Sequence, residues 1–121
     1  MATRDWTFSK EERKQFENEF AANHPDFHSY ASSMCIFKRK RSLRCCNGEE
    51  KRYRVKLDLI SLTDNKTGYH KVYWSVEYFI NDEPFDNAKH TTRELMMMYD
   101  WVEERKARFE SYGHEIVLWR Y

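Results

Sequence analysis

The residues best suited to chemistry are the cations between Lys38 and Lys56. Lys38, Arg39, Lys40, Arg41 and Arg44 precede Asn47-Gly48, and Lys51, Arg52, Arg54 and Lys56 follow it. With Glu49 and Glu50 included, this segment carries a local net charge of +7, while the rest of the chain, with twelve basic and eighteen acidic residues, carries −6. A nearly neutral protein therefore concentrates its positive charge in one ribbon. Asn-Gly between two β-leaning runs is the signature of a two-residue hairpin turn, since both central residues must take positive φ. On a strand, Arg52, Arg54 and Lys56 share one face at a spacing of about 7 Å. Tyr73 and Phe79 of the following strand belong to the same face when the apolar sets are aligned. Cations for phosphates beside rings for bases suit single-stranded nucleic acid, and the Lys38–Arg44 arm suits a phosphate backbone. The expected partner is nucleic acid, RNA or single-stranded DNA.

The same residues also fit a plainer reading. A charged strand face and hairpin tip can simply be solvated, with Glu49, Glu50, Asp58 and Glu77 as cross-strand partners, or can dock on a protein with an acidic surface. The second candidate surface is Met96, Met97, Trp101 and Trp119. Met is adaptable and suits promiscuous interfaces, although Met98 of the same run belongs in the core. A protein-binding regulator or inhibitor is the alternative function, as a monomer or homodimer. Compact size, dense charge and abundant aromatics resemble small virus- or phage-encoded host-interaction proteins in style, without pointing to a family.

No catalytic residue is assigned. A nucleophile elbow, a phosphate-cradling Gly loop and an HExxH motif are all missing, and three glycines leave little for a phosphate loop. Asp58 and Glu77, with Lys56 and Lys71, give a weak alternative as a metal-dependent nuclease, but Phe79 stands where such a site wants lysine. The five histidines are scattered. Cys35, Cys45 and Cys46 lack zinc-ligand spacing, and adjacent strand cysteines point to opposite faces. No metal or cofactor is expected. Reduced thiols, a charged N-terminus and no long apolar run give an intracellular protein in a reducing compartment, cytoplasm or nucleus, with no membrane span.

The elements that position these residues follow from local signals. At 121 residues the chain is long enough for one domain, 1–121, with its own core. Trp6 and Phe8 read as anchors of the lead-in. Ser9-x-x-Glu12 opens a helix as a capping box, Phe16 and Phe20 share one face, and Pro25 ends it. Residues 26–33 read as a connector. Strands follow at about 34–45, 51–62 and 69–80. Tyr53, Val55, Leu57 and Leu59 alternate in the second, and Val72, Trp74, Val76, Tyr78 and Ile80 in the third. Turns fall at 63–68 and Asn81-Asp82, with a short stub of strand at 83–85. Thr91-x-x-Glu94 opens a second helix, and Gly113 suits the left-handed position after its end. Glu115–Tyr121 is a last strand. The class is α+β in the order α-β-β-β-α-β, an antiparallel meander with both helices packed on one face and the other face wet. Helix, three strands, helix is also the order of a double-stranded RNA-binding domain. The long strands, the extra strand and a second helix opening on His90-Thr91-Thr92-Arg93 rather than a basic cluster depart from it, so no family is assigned.

Overall fold

A computed structural model describes residues 6–41 and 50–121. Among them are two helices and five strands, all in one α+β domain. Helix α1 (Lys10–Asn23) is followed by β1 (Phe27–Arg41), β2 (Glu50–Asp64) and β3 (His70–Ile80). The stub β4 (Glu83–Pro84), helix α2 (Thr92–Ser111) and β5 (Glu115–Arg120) complete the chain. Both capping boxes form in full: Ser9 with Glu12 and Thr91 with Glu94 each exchange side chain and backbone bonds. Asn81 and Asp82 both take positive φ, as a tight turn between twisted strands requires. Gly113, at φ +93°, lies just beyond α2.

Strands β1, β2, β3 and β4 form an antiparallel meander in that order. The last strand, β5, pairs with β3 in parallel, Val72 beside Ile116, because α2 carries the chain back across the sheet before it pairs. Two boundaries differ from the sequence reading. β1 begins at Phe27, so residues 27–33 are strand rather than connector. Their Ser and Ala residues show no alternation, yet each finds a partner because β2 runs on to Asp64. Residues 42–49, with the expected Asn47-Gly48 turn, lie outside the described residues. A regular ladder closing there would set Arg41 opposite Arg54, whereas Arg41 pairs with Glu50. The apolar pairs Met34–Leu57 and Ile36–Val55 fix this register; it brings Arg41 opposite Glu50 but also sets Arg39 opposite Arg52 and Lys40 opposite Lys51.

The helices do not share a face of the sheet. In the first half of β2 the buried residues are Tyr53, Val55 and Leu57, and with Trp74, Val76, Ile80 and Ile116 they pack under Met98, Trp101 and Val102 of α2. In the second half the buried set changes parity to Ile60 and Leu62, which join Tyr73 and Phe8 beneath Phe16 and Phe20 of α1. Since neighbouring strand residues point to opposite faces, α1 and α2 cover opposite faces. The expectation of two helices on one face extended the parity of residues 53–59 along the whole strand. It failed because Ile60, Leu62 and Tyr73 form a second apolar patch on the other side.

Asp58 sits where the parity changes and is fully buried. Its carboxylate accepts bonds from the Thr7 backbone N–H (3.1 Å), the Thr7 hydroxyl (2.8 Å) and the Ser33 hydroxyl (2.5 Å). The Lys56 ammonium is 3.8 Å away. Burial alone would raise its pKa, but these donors hold the carboxyl below its ordinary value. They also fasten the lead-in to the sheet, so that Phe8 is buried and Trp6 packs against the same cluster.

Two outcomes follow from this packing. Phe16 is fully buried and its ring stacks on Tyr73 with centroids 4.0 Å apart. Phe16→Ala should lower the unfolding free energy by about 3–5 kcal/mol, read by urea denaturation; a loss below about 1 kcal/mol would mean that α1 is not anchored there. Glu94 ties α2 to β2 through the Tyr53 hydroxyl (2.7 Å) and Lys51 (3.1 Å). Burial raises its pKa, but the Thr91 N–H, Tyr53 and Lys51 outweigh it and hold it at about 2, against 4.5 ordinarily. A depressed folded-state pKa adds stability above the unfolded value that is lost as pH falls. Wild type should therefore lose stability between about pH 5 and pH 2 more steeply than Glu94→Gln, which keeps the capping acceptor. Parallel acid unfolding curves would contradict the role of this pair.

Candidate nucleic-acid interface

Strand alternation sorts the basic ribbon by residue type. Arg39 and Arg41 of β1 lie on the α1 face, and so do Arg52 and Arg54 of β2, opposite them or one row away. Lys38 and Lys40 of β1, with Lys51 of β2, lie on the α2 face. Among the described residues the α1 face is covered only as far as Asp58. Beyond it the cross-strand rows are Cys35–Lys56–Glu77, Phe37–Arg54–Phe79, Arg39–Arg52 and Arg41–Glu50. Here Arg39, Arg41, Arg52 and Cys35 are exposed, and Arg54 and Phe79 are partly exposed. Phe37 is 50% exposed.

The geometry of this open half is set by rings and guanidinium groups. Arg54 Cζ lies 4.3 Å from the centroid of Phe79, and Arg39 Cζ lies 5.7 Å from that of Phe37. A guanidinium held against an aromatic face is weakly hydrated and keeps its donors in a fixed plane. Carboxylates temper the charge. Arg52 pairs with Asp82 at 3.0 Å, at the surface. Lys56 pairs with Glu77 at 3.3 Å and lies near Asp58. With its side chain 13% exposed, Lys56 works inside the sheet, and the expected row of three presented cations reduces to Arg52 and Arg54.

Other expected site residues lie elsewhere. Tyr73 is buried beneath α1 and stacks on Phe16; it belongs to the open face by parity, but α1 covers that row. Lys38 is on the opposite face, its Nζ 5.2 Å from the Trp101 ring. Lys40 stands opposite Lys51 on that face too. Arg44, with Cys45 and Cys46, lies outside the described residues. Phe37 was not singled out from the sequence, although its parity with Arg39 and Arg41 was readable. Its position opposite Arg54 required the register.

The second candidate surface does not assemble. Met96 is 52% exposed on α2, but Trp101 is buried and Met97 packs against the α2 core. Trp119 is on the opposite face, its ring edge-on to Phe16 and its Nε1 donating to Glu12 (2.9 Å). Arg120 bonds the same Glu12 and the Thr7 carbonyl. Of the nuclease candidates, Lys56 does lie between Asp58 and Glu77. Both Asp58 oxygens, however, already accept hydroxyl or amide donors, and Lys71 is paired with Glu115 at 3.4 Å. Among the described residues no three His, Cys, Asp or Glu side chains are grouped to hold a metal ion, and no helix is long and apolar enough to cross a membrane.

Compared with protein families, with curated proteins and with solved structures, the chain matches none.

Proposed function

We propose that this protein is a non-enzymatic binding module for single-stranded nucleic acid, RNA or DNA, acting through the open half of the α1 face. The observation that carries this reading is the sorting of the ribbon. Four arginines share with Phe37 and Phe79 a surface that no other described element covers, while the lysines of the tip lie on the other side. Single strands are held by rings on which bases stack and by cations that follow the phosphates. Phe37 offers the ring face, Phe79 a second ring already backed by Arg54, and Arg39, Arg41, Arg52 and Arg54 the phosphate contacts. A surface meant only for solubility has no use for half-exposed phenylalanine beside its charges. Glu50, Glu77 and Asp82 on the rim reduce the net field, which favours moderate affinity over tight, unselective binding to duplex. An exposed free thiol at Cys35, in the same surface, supports a reducing compartment, cytoplasm or nucleus.

Fluorescence anisotropy of labelled single- and double-stranded oligonucleotides tests this directly. Single strands should bind more tightly, and the logarithm of the association constant should fall linearly with log salt, with a slope of about −3 for four phosphate contacts. Arg39→Ala with Arg54→Ala should flatten that slope by about 1.4. Phe37→Ala should cost about 1–3 kcal/mol at every salt concentration and leave the slope unchanged. Met96→Ala should do neither. Absence of binding at low salt would overturn the reading. Salt-dependent binding indifferent to Phe37 would transfer the arginine face to an acidic protein partner.

A further inference from the structure

On the side of the sheet away from the arginine rows, a groove of about 260 Å³ lies beside α2, open among the described residues. Helix residues three and four apart share a face, so the buried stripe of Met98, Trp101 and Val102 continues through Arg105 to Phe109. Phe109 turns onto β3, its ring edge-on to that of Trp74 with centroids 5.4 Å apart. Tyr30, Ser32 and Met34 of β1 share this face by alternation and form the facing wall, with Leu59 of β2 and Val72 of β3 as the floor. From Tyr30 to Met34 the strand advances four residues, so this wall is about 14 Å long. Tyr30 is 64% exposed, and the lining is chiefly apolar.

The two ends of the groove differ in charge. At one end stands Arg105, half-buried, its Nη1 3.6 Å from the Met34 sulfur, which is a weak acceptor. Three and four positions away on α2 are Trp101, Val102, Arg108 and Phe109, none of them acidic. Among the described residues Arg105 forms no ion pair. A guanidinium carries five donors in a fixed plane that matches a carboxylate bidentately, and here the fold itself makes no such use of it. The other end is neutral. His114 lines it, its ring centroid 4.3 Å from that of His70. His70 Nδ1 lies 2.9 Å from the Gly68 carbonyl, which only accepts, so Nδ1 holds the hydrogen. Burial and the neighbouring His70 hold the His114 pKa below its ordinary value, and the ring is uncharged at neutral pH.

We infer that this groove binds a small linear amphipathic acid, its carboxylate on Arg105 and its hydrocarbon chain lying along Leu59 and Val72 toward Phe109 and His114. Shape and charge select this class together. A long, shallow, apolar channel suits an extended chain. A single cation at one end suits a single anionic head, and the uncharged His114 end accepts hydrocarbon without a desolvated charge. A purely apolar ligand would leave the guanidinium without a counter-ion, and an acid with a second charged end would set that charge against the neutral histidines. Met34 is unbranched and adaptable, so Arg105 exchanges a thioether for a carboxylate with little rearrangement. The site lies on the opposite face of the sheet from Arg39, Arg41, Arg52 and Arg54, and its occupancy does not depend on nucleic-acid binding.

Calorimetric titration of the full chain with hexanoate, heptanoate and octanoate tests this, with 1-octanol as the uncharged control. One acid should bind per chain. Each added methylene should tighten binding about two- to fourfold, and octanol should bind about tenfold more weakly than octanoate. Arg105→Met keeps an apolar stem at the half-buried position and should erase that difference by weakening octanoate alone. Ser32→Phe places a ring in the channel and should weaken acid and alcohol together. The comparison of acid with alcohol on wild type needs no variant, so it decides even where a variant fails to fold. Absence of octanoate binding at millimolar concentration, equal binding of acid and alcohol, or octanoate binding unchanged by Arg105→Met would overturn the proposal.

Discussion

The structure depends on the change of buried parity within β2. A strand has two sets of side chains, and burying both along its whole length would require helices over the whole of each face. This chain buries one set up to Leu57 and the other from Asp58 onward. Two helices then suffice when each covers a different half of a different face. Asp58 makes the change possible. A carboxylate at that point would be costly to bury unpaired, but Thr7, Ser33 and Lys56 supply donors from the lead-in, β1 and β2 itself. The same bonds carry Phe8 into the core beneath α1.

Among the described residues, diagonal coverage leaves two uncovered quarters of different chemistry. On the α1 face the open quarter holds the arginines with Phe37 and Phe79. On the α2 face it holds a shallow apolar groove of about 260 Å³, lined in part by Tyr30, Met34, Leu59 and Phe109. The candidate site is therefore a remainder of the fold, a surface to which the sequence assigned guanidinium groups and rings where no helix reaches. The paired strands β1, β2 and β3 hold these groups in register, which is what the proposed stacking along a strand of bases needs.

Local signals in the sequence were a good guide wherever the determining interaction is itself local. Both capping boxes, the Asn81-Asp82 turn, Gly113 and the alternation from Tyr53 to Leu59 appear in the structure as their residue types predict. The meander and the α+β class followed from them. What escaped was long-range. Ile60, Leu62 and Tyr73 were apolar residues on the supposedly wet parity, and reading them together would have placed α1 on that side. The Ser-Ala-Ser-Ser run of β1 has no periodicity of its own and is strand only because β2 is there to pair with it. Of the site, the cations were legible by composition and Phe79 by parity. Tyr73 was misplaced because exposure was inferred from parity alone, and Phe37 was overlooked because its neighbour is set by a pairing register that the Asn47-Gly48 signal does not supply.

The central claim is that the uncovered arginine–phenylalanine quarter, and no other surface, meets the ligand. The most direct test is a titration of isotopically labelled protein with a single-stranded oligonucleotide, followed by backbone amide chemical shifts. The account predicts changes confined to residues 35–41, 52–56 and 77–82, with the amides of Ile60, Leu62 and Tyr73 under α1 and those around Met96 unmoved. Changes centred on α2 or on the Tyr30 groove, with the arginine rows silent, would contradict it.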